Sequence, residues 1–226
     1  VAKLEKIVMG PLDALHIRTE KSSKTIVLLH GYGANMEDLV GLASTCPSAN
    51  WIFPNAPVDL GQVWGMDSRT WFSMSFEGLE KATREATYRE FFDQHRGVFE
   101  EAQEKLRSAV MSLSIPASEI VLGGFSQGAL MASDFFLRSS EDFHSLIILS
   151  GMFPDNIGWE ECIQKKSPRP VFQSHGREDP LLAFSPAETL AASFLAKNWP
   201  VTWVPFRGGH QIPDLVLQEL SKFLNT

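Results

Sequence analysis

The stretch EIVLGGFSQGALMASDFF, residues 119–136, passes from a β-branched run into a helical pattern. Ile120, Val121 and Leu122 suit a buried strand, and Ala129, Leu130 and Met131 suit a helix. Between them stand Gly123, Gly124, Ser126 and Gly128. A buried strand needs no serine at its exit, and a helix start does not ordinarily need glycine on both sides. Such a turn either packs two elements tightly or presents a hydroxyl. Gly124 to Gly128 reads G-x-S-x-G between a strand and a helix, the context in which a serine is held on a strained turn. Its hydroxyl then projects at a helix N-terminus, where backbone N–H groups face developing negative charge. Ser126 is therefore the candidate nucleophile.

The rest of the chain repeats this alternation. Apolar runs at 24–30, 50–54, 119–124, 145–150, 170–175 and 201–206 are nearly continuous, as in strands covered on both faces. LEKIVM and ALHIRTE flank a Gly-Pro-Leu-Asp turn and predict an antiparallel hairpin. Helices are predicted near 36–44, 127–139, 156–165, 186–197 and 213–224. A longer one over 84–113 has Gly97 as a point of division. This order predicts one α/β domain over residues 1–226, with a mostly parallel central sheet and helices on both faces. Ligands of such sheets bind beyond the carboxyl ends of the strands.

Composition narrows the class. The chain has 226 residues and a net charge of −7, with no basic stripe to pair with phosphates, so no nucleic-acid partner is expected. The apolar runs fall short of the roughly 20 residues a membrane span needs, so no stable membrane insertion is expected. The stretch VAKLEKIVMG lacks a signal-peptide core. Cys46 and Cys162 have no metal-ligand spacing and read as free thiols in a reducing, cytoplasmic compartment. With no HExxH, Rossmann or P-loop fingerprint, no cofactor or metal is expected.

A serine nucleophile needs a base, usually a histidine oriented by a carboxylate. Of six histidines, His16, His95 and His144 read as structural or solvated. His30, His175 and His210 lie near strand exits. The order Ser, acid, His selects His210, in the Gly208-Gly209-His210 loop after the last strand, and leaves His30 as a support for the first loop. Asp179 and Asp155 both lie where the acid belongs; topology leans towards Asp179. Glu178 is the weaker neighbour.

Taken together, LLHGYGAN, FPNAPV, IVLGGFSQGA, LSGMFP, HGREDPLLAF and GGHQI resemble, in order and across residues 28–212, the phospholipase/carboxylesterase family of α/β-hydrolases, which includes acyl-protein thioesterases. The resemblance implies the α/β-hydrolase fold and a serine hydrolase of carboxylic esters, with thioesters and lysophospholipids as further substrate classes. It implies the triad Ser126, Asp179 and His210, and an oxyanion hole from the backbone N–H groups of Tyr32 and Gln127. It requires no cofactor, and it admits a homodimer. Tyr32 stands where the family more often has leucine, and residues 77–100 depart from the family pattern.

Residues 54–76 form a long connection rich in Trp, Phe and Met, read either as a self-packed loop or as one wall of an acyl groove. Trp71 and Met152 are the candidate substrate-binding residues. The rival of a different class is a non-catalytic ligand-binding protein on a hydrolase scaffold. Among hydrolases, the dienelactone type uses cysteine where this chain has Ser126.

Overall fold

The apolar runs that end in Leu28-Leu29 and Gly123-Gly124 pair side by side in the computed structural model, with Leu28 opposite Gly123 and Leu29 opposite Gly124. The structure describes residues 3–19, 22–61, 67–85, 87–151 and 158–226. Ten strands are described: β1 (Lys3–Met9), β2 (Leu12–Arg18), β3 (Thr25–Leu29), β4 (Asn50–Pro54), β5 (Val58–Asp59), β6 (Arg69–Thr70), β7 (Ile120–Phe125), β8 (Ser145–Leu149), β9 (Val171–Gly176) and β10 (Val201–Phe206). Eight form one sheet in the order β1-β2-β4-β3-β7-β8-β9-β10. The hairpin β1–β2 is antiparallel and joins β4 antiparallel; from β4 to β10 every pairing is parallel. This is the predicted sheet. The short pair β5–β6 lies apart, inside the connection that the sequence left without structure.

The continuous apolar runs split by parity. Val27, Leu29, Leu122, Leu146 and Ile148 enter one buried cluster; Ile26, Leu28, Val121, Ile147 and Leu149 enter the other. Side chains alternate across a strand, so a strand apolar at every position is covered on both sides. On the first side lie α1 (Phe76–Glu85), α2 (Tyr88–Ser112), α3 (Gln127–Arg138), α4 (Trp159–Lys165) and α5 (Phe184–Leu195). The second side is covered by a 3₁₀ segment, Val40–Thr45, and α6 (Asp214–Leu224).

Two helix expectations change. The predicted helix at 36–44 is a series of turns closing in the 3₁₀ segment, where Ser44 and Thr45 hydroxyls donate to the Gly41 and Leu42 carbonyls and compete with regular α bonding. Gly97 does not divide the long helix. It faces open space inside α2, and the helix is carried through it by the packing of Phe92, Phe99 and Leu106. The division falls earlier, between Glu85 and Tyr88. Neither cysteine is in a disulfide.

Candidate active site

β7 lies between β3 and β8 in mid-sheet, and the chain turns sharply where it ends. Ser126 has φ 55° and ψ −120°, a conformation a side-chain-bearing residue rarely adopts. Holding it costs about 1–3 kcal/mol, which the surrounding packing must offset. Two glycines make the turn sterically possible. A Cβ on Gly124 would run into the backbone of Gly128, and one on Gly128 into the carbonyls of Leu29 and His30. The Ser126 N–H donates to the Leu149 carbonyl at 2.9 Å, and its carbonyl accepts from Ala129 at 3.0 Å, so the turn is tied to β8 and to α3. Ser126 is partly exposed at the N-terminus of α3.

Asp179 follows β9 and His210 follows β10. Glu178 N–H donates to the Gly208 carbonyl at 2.9 Å, and Arg177 N–H to Phe206 at 2.8 Å, so the two loops are bonded to each other. His210 Nδ1 meets Asp179 Oδ2 at 2.7 Å, while Asp179 Oδ1 accepts the Leu181 and Leu182 amides, each at 2.9 Å. The His210 ring also lies against Phe125, with centroids 4.8 Å apart, which sets it beside the serine turn. Burial alone would raise the Asp179 carboxyl. The hydrogen bond and charge of His210, with the two amides, outweigh burial and hold it below its usual value. Asp155 lies outside the described residues.

The same carboxylate touches a second histidine. His175 is fully buried on β9, with Nε2 2.9 Å from the Leu182 carbonyl and 3.4 Å from Asp179 Oδ2. A carbonyl can only accept, so Nε2 carries the proton and ties the turn Asp179–Leu182 back to its strand. Burial outweighs the Leu182 carbonyl and the Asp179 charge and pushes the His175 pKa below its ordinary value.

The loop after β3 lies on the other side of Ser126. A Cβ built on Gly31 would sit 3.4 Å from that of Ser126, so the backbone of this loop passes close to the serine. His30 braces this loop from beneath. Its Nδ1 meets the Gly31 carbonyl at 2.8 Å and its Nε2 accepts the Ala56 amide at 3.1 Å. Burial lowers its pKa to about 4. Backbone bonds of 2.8 Å join Gly33 to Arg69 and Arg69 to Ala34. The Gln127 side chain clasps the next residues: Oε1 accepts the Trp71 amide and Nε2 donates to the Phe72 carbonyl, each at 3.0 Å. Sequence reasoning assigned Gln127 only a backbone role and gave His175 none. A glutamine after a nucleophile and a histidine at a strand end carry no local mark of the partners they meet across the fold.

An apolar pocket opens from Ser126, walled by Phe72, Met74, Leu79, Phe92, Leu130 and Leu182. The 54–76 connection thus does supply a wall, but Trp71 is not in it. Its side chain is buried in the core, and the indole N–H donates to the His30 carbonyl at 2.9 Å, so it braces the loop instead. Phe72, two residues beyond β6, lines the pocket instead. Met152 lies outside the described residues. Leu79, Phe91 and Phe92 bring the divergent 77–100 segment into the pocket. Helical periodicity marked Phe91 and Phe92 as apolar but did not separate pocket wall from core.

Among the described residues no group of acidic, histidine and cysteine side chains is arranged to hold a metal, and no helix is long and apolar enough to cross a membrane. The sequence profile of the phospholipase/carboxylesterase family matches residues 14–226. The acyl-protein thioesterase 1 of Cryptococcus neoformans is 28% identical over 188 residues, covering 77% of this chain and 75% of that protein. The acyl-protein thioesterase 1 of Schizosaccharomyces pombe is 24% identical, covering 100% of this chain and 97% of its own length. The Bacillus cereus carboxylesterase structure superposes with a TM-score of 0.71 at 20% identity, over 95% of this chain and 93% of that one, and supports the fold. With the profile matched over nearly its whole length, the chain belongs to the phospholipase/carboxylesterase family of α/β-hydrolase enzymes.

Proposed function

We propose that the protein hydrolyses esters and thioesters of apolar acyl groups through a Ser126 acyl-enzyme. The observation that carries this reading is the Asp179–His210 bond at 2.7 Å, set beside a serine on a strained turn that opens into an apolar pocket. Asp179 engages Nδ1 of His210, which leaves Nε2 to take the Ser126 proton as Oγ attacks the carbonyl carbon. The backbone N–H groups of Tyr32 and Gln127 receive the oxyanion; one such donor is worth about 3–4 kcal/mol of barrier. The imidazolium then returns the proton to the departing alcohol or thiol, and water repeats the sequence in reverse order to release the acid. Asp179 stays ionised throughout, consistent with its lowered pKa.

The relatives named as acyl-protein thioesterases support the thioester part of this reading. The test is turnover of p-nitrophenyl butyrate and butyryl thiocholine by wild type and Ser126→Ala. A loss of about 10⁵-fold or more in kcat is expected for both substrates. Equal rates in the two proteins overturn the assignment of the nucleophile.

A further inference from the structure

Two histidines approach one oxygen of Asp179: His210 Nδ1 lies 2.7 Å from Oδ2, and Nε2 of the fully buried His175 lies 3.4 Å from it. We propose that His175 is a positioning residue for the acid. By holding the Leu182 carbonyl through its Nε2 proton, it fixes the orientation in which Asp179 presents Oδ2 to His210. This rests on the Ser126, Asp179 and His210 reading above and adds a fourth residue to it.

An aspartate side chain turns about two torsions, and a tight turn does not by itself choose between their settings. In this turn Oδ1 accepts the Leu181 and Leu182 amides, each at 2.9 Å, so the carboxylate goes where those two peptide groups go. The near end of the turn is bonded to its strand, Asp179 N–H to the Gly176 carbonyl at 3.3 Å. The far end is held by His175, whose Nε2 donates to the Leu182 carbonyl at 2.9 Å. Leu182 thus uses its amide on Asp179 and its carbonyl on His175. The His175 ring cannot follow the turn if the turn moves. It stands on β9, which lies between β8 and β10, and it has no exposed surface.

The distances separate the tasks of the two rings. Oδ2 has its short bond with His210, and the His175 proton is directed chiefly at the nearer Leu182 carbonyl. His175 therefore steers the carboxylate without competing for the oxygen that His210 needs. An apolar ring would fill the same space with nothing to desolvate. Burial of the imidazole does carry that cost, and it pushes the His175 pKa below its ordinary value. A buried polar group is offset only by the bonds it makes, and the Nε2 bond runs to the acid turn.

The experiment compares His175→Phe, which keeps a ring and removes the donor, with His175→Gln, which keeps a side-chain N–H. Hydrolysis of p-nitrophenyl butyrate is measured per folded molecule, with folding followed by circular dichroism and urea unfolding. The downfield proton of His210 Nδ1 is followed by NMR. His175→Phe is expected to lower kcat about 10- to 100-fold with KM within about twofold, and to shift or broaden that resonance. His175→Gln is expected to recover most of both. In an Asp179→Asn background His175→Phe should add less than about twofold, because it acts through the carboxylate. Wild-type kcat and resonance in folded His175→Phe overturn the proposal, as does a full further loss in that background or a His175→Gln no better than His175→Phe. If His175→Phe does not fold, the tautomer of the wild type decides. Proton–nitrogen correlation spectra should show His175 protonated on Nε2, and a bare Nε2 overturns the assignment. Asp179→Asn alone reports on the triad: its loss of turnover beside an unaffected His175→Phe keeps the triad and rejects the positioning role, whereas an active Asp179→Asn rejects the triad itself.

Discussion

The two halves of the candidate site are built in different ways. The reaction half, as proposed, is Ser126, Asp179 and His210 with the loop at Tyr32; it hangs from the ends of parallel strands of one sheet and is tied by backbone bonds, as between Glu178 and Gly208 or Gly33 and Arg69. The pocket half collects Phe72 and Met74 from a connection, Leu79 and Phe92 from two helices, and Leu130 from a third. Strand ends allow few positions, so each residue of the first half has a narrow task. The second half needs only apolar volume, which neighbours can share. Substitutions in the reaction half should therefore act on kcat and be large one at a time, while those in the pocket should act on KM and be small.

The sharpest way to break this contrast is Asp179→Asn. Replacing the carboxylate that fixes the His210 tautomer should lower kcat about 10⁴-fold with little change in KM, read from ester hydrolysis at several substrate concentrations. A loss under tenfold would place the acid elsewhere and remove the distinction.

His30 tests the buttress beneath the loop after β3. Its pKa is about 4 when folded, against an ordinary 6.5. Between those values the unfolded chain binds a proton that the folded one refuses. The stability it contributes is complete above pH 6.5 and falls as pH drops from 6.5 towards 4, by about 3 kcal/mol in all. His30→Gln should flatten that slope in urea unfolding measured at stepped pH. An unchanged slope would mean that His30 is not the group responsible.

Gln127→Leu comes next. It strands the Trp71 amide and the Phe72 carbonyl in the interior and should cost about 2–3 kcal/mol of stability, seen as a lower urea midpoint. Because the clasp ties the two halves together, kcat and KM should both change. A change in KM alone would show the halves to be more independent than the hydrogen bonds suggest. Smallest of all, Met74→Ala should raise KM about threefold for octanoate esters and leave kcat nearly as it was; a fall in kcat of the same size would blur the boundary.

Much of the reaction half was legible in the sequence because its requirements are local. Gly124 and Gly128 flank Ser126 because backbone approaches there at a distance no Cβ permits, and that need is met by residue type alone. The apolar runs predicted a sheet covered on both sides, and the alternation of β3 and β7 between two clusters is what that pattern means in space. The pocket was less legible. Trp71 and Phe72 are adjacent, equally aromatic and both buried, yet one braces a loop and the other faces Ser126. Which does which follows from the Gln127 clasp, made with a residue more than fifty positions away. Likewise, His175 and His210 both approach Asp179, and burial on a strand separates the tie from the candidate base. By itself the sequence determined the strand order of chemistry, the serine turn and the family, because periodicity, glycine placement and motif spacing act over a few residues. Only the tertiary structure decided the walls of the pocket and the second histidine at the acid, because those depend on which distant segments meet.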